Sequence, residues 1–145
     1  MSNGGKIQRK VLPNGLTVVV ERLSHFPSVT AGVWVKGGSR QEPARVNGVS
    51  HFIEHLVFKG TPTRTYSEIY RIFDQMGGVL DAFTSREIMG FYFRVQKAHF
   101  PEAFEVLSDM LARSTFPPQE LERERGVILE EIKMVTDTPA DLVGD

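Results

Sequence analysis

Three apolar segments within the first 36 residues have the length and composition of β-strands. They cover residues 7–12, residues 16–22 and Ser28 to Lys36. Between the first two, residues 13–15 (Pro-Asn-Gly) predict a hairpin turn, because an Asn-Gly pair readily adopts positive φ angles. The chain is therefore expected to begin with a hairpin, followed by a third strand.

Two helices are predicted in the next part of the chain. The first covers about residues 47–59, with Asn47 as its N-cap and Gly60 as its C′ residue. The second begins at Thr65, where the sequence Thr-Tyr-Ser-Glu is a capping box. Its apolar residues recur at helical spacing, which indicates a core face rather than a cofactor site. These residues are Ile69, Ile72, Phe73 and Met76.

Two further strands and two helices are predicted after residue 78. The strands are Val79 to Thr84 and Ile88 to Gln96, and the helices cover about 101–113 and 118–135. The inward face of the first of these helices is predicted to consist of Phe104, Leu107, Met110 and Leu111. Strands and helices alternate irregularly, and hairpins are present. This order predicts an α+β fold, with a mainly antiparallel sheet and helices packed on one face.

The composition is that of an ordinary soluble globular domain. The chain has 145 residues, of which 41% are hydrophobic and 24% charged, with a net charge of −1. A near-neutral charge gives no indication of nucleic-acid binding or of capture by an anionic membrane. There is no cysteine, so a metal would need His, Asp or Glu ligands. No signal sequence or membrane-spanning run is recognisable, and a cytoplasmic location is expected.

One predicted helical turn carries the groups of a partial metal site. His51 and His55 lie one turn apart on the same helix face, and Glu54 lies beside them. Two imidazoles and a nearby carboxylate provide two zinc ligands and a base. The spacing H-x-x-E-H is the inverted form of the H-E-x-x-H zinc-peptidase motif. The alternative is a pair of helical histidines in a core, and a third ligand must come from elsewhere.

The last helix contains two glutamates on its predicted buried face. Positions 121, 124, 128, 131 and 135 form one stripe, and Glu124 and Glu131 interrupt its apolar residues. A buried carboxylate costs several kcal/mol unless it is paired or bound to a metal. Because about 10 Å of helix separates the two glutamates, one should be a ligand and the other a supporting group. The alternative pairs each glutamate with Arg or Lys from a neighbouring helix.

Six separated landmarks together resemble a known family. They are HFIEH at 51–55, FKGT at 58–61, MGG at 76–78, TSRE at 84–87, ERER at 122–125 and VILEEI at 127–132. In this order they resemble the pitrilysin-type zinc peptidases, which include insulin-degrading enzyme and the mitochondrial processing peptidases. The resemblance is strongest to bacterial processing-peptidase-like members, and it extends from Leu12 to Val143.

The resemblance implies a zinc endopeptidase site. His51, His55 and Glu131 match the family's Zn²⁺ ligands. Glu54 matches the general base, which polarises the zinc-bound water that attacks the scissile carbonyl. Glu124 matches a further glutamate that supports the site. The ligand types alone leave Mn²⁺ or Co²⁺ open as the metal.

The resemblance also implies a peptide or protein substrate, bound as an extended strand against a sheet edge. The matching residues in this chain are Asp81, Ala82, Phe83 and Thr84. Many relatives have Asn-Ala-Tyr where this chain has Asp81, Ala82 and Phe83. This difference adds a negative charge beside the site and is expected to alter substrate preference.

The family's domain organisation implies that the sequence is incomplete. Residues 1–145 are interpreted as the N-terminal part of a single peptidase domain, with a C-terminal domain missing. The isolated chain is then expected to bind zinc without efficient hydrolysis, and a homodimer is a further expectation. Two alternatives stay open: a catalytically silent structural subunit, and a metal-binding fragment with no hydrolytic role.

Overall fold

The computed structural model describes residues 5–136, which form five strands and four α-helices. The elements are β1 (Ile7–Val11), β2 (Thr17–Glu21), β3 (Ser28–Lys36), α1 (Val49–Val57), α2 (Tyr66–Gln75), β4 (Val79–Thr84), β5 (Ile88–Gln96), α3 (Phe100–Arg113) and α4 (Pro118–Thr136). Each predicted strand and helix is present. The end of the family resemblance, residues 137–143, lies outside the described residues, as do the side chains of Val135 and Thr136.

The strands of the described region form two antiparallel sheets. β1 and β2 make the predicted hairpin, and Gly15 in its turn has a φ angle of +86°. The Leu16 N–H donates to Asn14 Oδ1 at 3.1 Å, which explains why Asn precedes the glycine. The other sheet has the order β3-β5-β4, so β5 is central and β4 is an edge strand of this sheet.

The helices pack on one face of the three-stranded sheet. Alternate residues of β5, namely Phe91, Phe93 and Val95, are buried against them, as the two-residue period of a strand requires. The helical side of the core consists of Val57, Ile69, Phe73, Met76, Ala103, Val106, Leu107 and Met110. Trp34 on β3 is 58% exposed. The predicted α+β fold, with antiparallel pairing and helices on one face, is confirmed.

The N-terminus of α1 differs from the prediction. The N-cap is Gly48, with φ +89°, and not Asn47. Glu42 is the reason: its carboxylate accepts hydrogen bonds from the Gly48 N–H at 2.6 Å and the Ser50 N–H at 2.7 Å. A carboxylate from the preceding loop therefore satisfies the first free N–H groups, where an N-cap side chain would otherwise do so.

The C-terminus of α1 is also shifted by one residue from the prediction. The C-cap is Phe58, which makes Lys59 the C′ residue and Gly60 the next one. Gly60 has φ +132° and forms an isolated β-bridge with Thr65. Glycine is favoured there because an L side chain rarely adopts this φ angle.

The predicted capping box of α2 is confirmed, whereas the predicted inward face of α3 is partly wrong. Thr65 and Glu68 form the predicted capping box of α2. On α3, however, Phe104 is 48% exposed, and Ala103 and Val106 occupy the buried face with Leu107 and Met110. The Phe104 ring lies against Phe100, with 5.7 Å between ring centroids.

Helix α4 packs against α1, and the loop before it is attached to the end of α1. The Ser114 hydroxyl donates to Leu56 O at 3.4 Å, and the Thr115 N–H donates to Gly60 O at 3.1 Å. These bonds fix where α4 begins relative to α1. None of the helices within residues 5–136 is long and apolar enough to span a membrane.

Candidate metal centre

Helix α1 places two imidazoles side by side. His51 and His55 are separated by one helical turn, and their ring centroids lie 4.8 Å apart in an edge-to-face arrangement. Their Nε2 atoms are 3.2 Å apart. His55 is the more buried, with 19% of its side chain exposed against 40% for His51. The pair therefore opens to solvent on the His51 side.

Glu131 of α4 approaches both histidines. Its Oε2 lies 3.5 Å from His51 Nε2 and 3.7 Å from His55 Nε2. Ligands about 2.0–2.1 Å from a tetrahedral zinc ion are separated from one another by roughly 3.4 Å. The three donor atoms thus have the types and spacing that zinc requires, and the residues fit the ion. Three protein ligands, on a side open to solvent, leave a fourth position for water or substrate.

Glu124 lies on the other side of His55, away from the three donor atoms. Its Oε2 accepts a hydrogen bond from His55 Nδ1 at 3.0 Å, which leaves His55 Nε2 as the metal-binding nitrogen. Glu124 and Glu131 therefore contact opposite nitrogens of one imidazole ring. The roles of ligand for one glutamate and supporting group for the other stay predictions, and these contacts are compatible with them.

The Glu124 carboxyl is buried but carries its charge. Burial raises the pKa of this carboxyl. Hydrogen bonds and positive charge from Lys59 and His55 lower the pKa by a larger amount, so that the net shift is downward. Lys59 Nζ lies 2.7 Å from Glu124 Oε1. The buried glutamate therefore pairs with a lysine, as the alternative interpretation expected, and it also contacts a histidine.

Glu54 lies on α1 beside His55 and lines a cleft of about 200 Å³. Tyr70 and Asp81 line the same cleft from α2 and β4. The pKa of Tyr70 is raised to about 12, so its phenol stays neutral. Burial is the largest cause, and the neighbouring Tyr66, Asp81 and Glu124 raise the pKa further. Glu54 is thus a carboxylate that lies next to His55 and faces a cleft, a position in which a group can exchange a proton with a bound molecule.

The four residues predicted to bind substrate have different environments. Asp81 accepts a hydrogen bond from the Tyr92 hydroxyl at 2.8 Å, and Ala82 packs against the core. Phe83 covers Gly90, its partner on β5, where a Cβ would lie 2.3 Å from the ring. Thr84 donates to Ser50 O at 3.5 Å and so connects β4 to α1. The edge strand therefore runs beside the donor cluster.

Two functionally placed residues were missed at the level of sequence, Lys59 and Glu42. Lys59 lies four residues after His55, but nothing in its local sequence indicates a partner on α4. Glu42 lies in a polar loop, and its distance from Gly48 exceeds the spacing of any capping motif.

Comparison with known proteins decides the family. The sequence profile of Insulinase (Peptidase family M16) matches residues 17–145, which is most of the chain. The chain belongs to this family. The recognition of a pitrilysin-type metallopeptidase is therefore confirmed.

The family relatives include bacterial and mitochondrial proteins. The chain is 45% identical over 139 residues to the uncharacterized zinc protease YmxG of Bacillus subtilis (strain 168), covering 96% of this chain and 34% of that protein. It is 41% identical over 134 residues to a probable mitochondrial-processing peptidase subunit beta of Arabidopsis thaliana, covering 92% and 25%. The chain thus spans about a third or less of the length of these relatives.

Two solved structures share the fold. A protease from Helicobacter pylori superposes with a TM-score of 0.89 at 30% identity, covering 96% of this chain and 34% of that one. Pitrilysin superposes with a TM-score of 0.80 at 25% identity, covering 92% and 14%. This chain accordingly corresponds to a portion of each of these two structures.

Proposed function

We propose that this chain contributes the zinc site of an M16 endopeptidase. The observation that carries the proposal is the convergence of His51 Nε2, His55 Nε2 and Glu131 Oε2 within 3.7 Å of one another. Two helices far apart in sequence bring these donors together, in a spacing suited to tetrahedral zinc. Relatives that bear the name zinc protease support the choice of zinc over Mn²⁺ or Co²⁺.

The roles of the protein groups follow from their positions. Zinc, when bound, supplies Lewis-acid chemistry that polarises a carbonyl and makes water nucleophilic at neutral pH. Glu54 takes the proton of the attacking water and delivers it to the leaving amine. Glu124 orients His55 through its Nδ1–H.

The substrate is proposed to be a peptide in extended conformation. β4 is an edge strand in the described sheet, so its outer backbone groups are available to pair with an added strand. The cleft lined by Glu54, Tyr70 and Asp81 lies next to this edge and would receive a side chain of the peptide. Because the chain spans only a third of its relatives, we further propose that hydrolysis requires protein beyond these residues.

Replacing Glu54 by Gln tests whether this residue acts in proton transfer and not in metal binding. Glu54→Gln removes the proton acceptor but none of the three donor atoms. In the full-length protein we expect zinc content to be unchanged and peptide hydrolysis to fall at least about 100-fold, the scale of general-base catalysis. The exposed Glu102→Gln on α3 is the matched control. Retained hydrolysis in Glu54→Gln would remove Glu54 as the base, and lost zinc would assign it a ligand role.

A further inference from the structure

Lys59 has an unusual environment for a lysine. It follows α1 by two residues, and only 15% of its side chain is exposed. Lysine ammonium groups are almost never buried unless they are paired, because losing water is costly. Here Nζ lies 2.7 Å from Glu124 Oε1 and 4.8 Å from the centroid of the Tyr66 ring. A carboxylate and an aromatic face therefore hold the charge together.

Both oxygens of Glu124 are occupied, one by Lys59 and the other by His55. Oε1 faces Lys59 and Oε2 faces His55 Nδ1. A carboxylate held at only one oxygen could rotate about its last torsion, which is broad and weakly restrained. Held at both, it is fixed in the plane that points Oε2 at the His55 ring. Two successive contacts, from Lys59 to Glu124 and from Glu124 to His55, thus restrict the orientation of the His55 imidazole.

We propose that Lys59 is a positioning residue for the metal site, which it serves by fixing Glu124 and thereby His55. This inference rests on the proposed function, since it assumes that His55 Nε2 binds zinc. Lys59 also lines the cleft beside Glu54, but in the described contacts it touches none of the three donor atoms. Its proposed effect is therefore on metal affinity, through Glu124 and His55.

The predicted size of the effect follows from supporting groups at other metal sites. Loss of a hydrogen-bond partner of a ligand typically weakens metal binding by about 10–100-fold. Lys59 acts one contact further away, so we expect Lys59→Met to weaken zinc binding about tenfold, at the lower end of that range. Lys59→Arg keeps a cation that can reach Glu124 and should stay within about threefold of wild type.

The test is a competition titration of zinc against a chromophoric chelator, with the purified protein and its variants. Lys97→Met is the control. Lys97 is an exposed lysine that directly follows β5, far from the histidine motif in the sequence, and its replacement should leave zinc binding as in wild type. The expected result is weaker binding in Lys59→Met, rescue by Lys59→Arg and no change in Lys97→Met. A folded Lys59→Met variant with wild-type zinc affinity would overturn the inference.

A second measurement separates positioning from general stability. In metal-free wild type, ¹⁵N spectra of the His55 ring should show the proton on Nδ1, where Glu124 accepts it. Lys59→Met should reduce this tautomer preference, and Lys59→Arg should restore it. An unchanged tautomer in Lys59→Met would contradict the proposed chain of contacts. If Lys59→Met does not fold, Lys59→Gln replaces it, and unchanged affinity in that variant also overturns the inference.

These outcomes are distinct from failure of the proposed function. If wild-type protein binds no zinc, the metal site itself is wrong. If wild type binds zinc and Lys59→Met binds equally well, only the role of Lys59 is wrong.

Discussion

At the scale of single residues, His55 is the most connected group of the candidate site. Its Nε2 faces His51 and Glu131, and its Nδ1 faces Glu124. An imidazole whose two nitrogens have different partners is restricted to one tautomer and one orientation. The geometry of the whole donor set therefore depends on contacts to this one ring.

Glu124→Gln tests that dependence. The amide retains an oxygen that can accept from His55 Nδ1–H but loses the charge that attracts Lys59. We expect zinc affinity to fall by about 10–100-fold, as for other partners of metal-bound histidines. Chelator competition measures the change, with the exposed Glu122→Gln on the same helix as control. Equal affinities in Glu124→Gln and wild type would show that Glu124 does not support the site.

The sequence identified both histidines and both glutamates because their relationships are local. His51, Glu54 and His55 lie within five residues, and Glu124 and Glu131 lie on one helix, so helical periodicity is sufficient to relate them. The partner of Glu124 could not be predicted in the same way. Lys59 meets it only when α1 and α4 pack together, and no periodicity connects two separate elements.

At the scale of elements, the start of α1 depends on Glu42. This carboxylate accepts from two backbone N–H groups at the helix N-terminus, where negative charge is also favoured by the helix dipole. The prediction of Asn47 as N-cap considered only residues adjacent to the helix. That prediction could not include Glu42, because the conformation of the loop between Glu42 and Gly48 determines whether the carboxylate reaches the helix.

Glu42→Ala should therefore destabilise α1. Loss of an N-terminal cap costs about 1 kcal/mol, and we expect the free energy of unfolding to fall by about that amount. Chemical denaturation followed by circular dichroism measures the change. Glu21→Ala, at an exposed position of β2, should leave the free energy of unfolding nearly unchanged. Equal stability of Glu42→Ala and wild type would show that the cap is dispensable.

The loop after α1 is joined to α3 by a buried carboxylate, Asp109. It accepts from Thr61 at 2.7 Å and Thr63 at 3.0 Å, and it pairs with Arg64 and Arg113. Burial raises the pKa of Asp109, but these bonds together outweigh it and lower the pKa to about 2. The cluster fixes the loop that carries Gly60 and leads into α2.

The sign of the resulting pH dependence follows from the lowered pKa. Asp109 contributes stability above its unfolded pKa of about 3.9, amounting to roughly 2 kcal/mol, and that contribution is lost as the pH falls toward 2. We expect the difference in unfolding free energy between wild type and Asp109→Asn to have its maximum value at pH 6. At pH 3 this difference should be roughly half of that value. Denaturant titrations at both pH values measure it, and a difference that does not vary with pH would contradict the assignment.

The inward face of α3 shows a limit of helical periodicity. Positions 103, 106, 107 and 110 and the predicted positions 104, 107, 110 and 111 both contain neighbours three or four residues apart. The predicted set differs from the observed one by taking Phe104 and Leu111 in place of Ala103 and Val106. The sheet face across from α3 accepts the first set, in which Ala103 is fully buried and allows close approach. Which stripe is buried was decided by packing and could not be derived from spacing.

At the scale of the whole molecule, the described fold corresponds to a portion of the M16 peptidases that it matches. The chain covers 34% of YmxG and 14% of pitrilysin. The family and the α+β architecture were predictable, because motif order and element order are both properties of the sequence. A homodimer and a cytoplasmic location stay predictions, as does the assignment of residues 1–145 to a single domain.

Metal analysis is the direct test of whether α1 and α4 together form a zinc site. Protein purified without chelators should contain one zinc per chain, and Glu131→Gln should bind zinc much more weakly. Glu130→Gln, the adjacent exposed residue that pairs with Lys133, is the matched control and should bind like wild type. A zinc site formed by α1 and α4 is contradicted if wild type contains no zinc, or if Glu131→Gln binds it as tightly as Glu130→Gln.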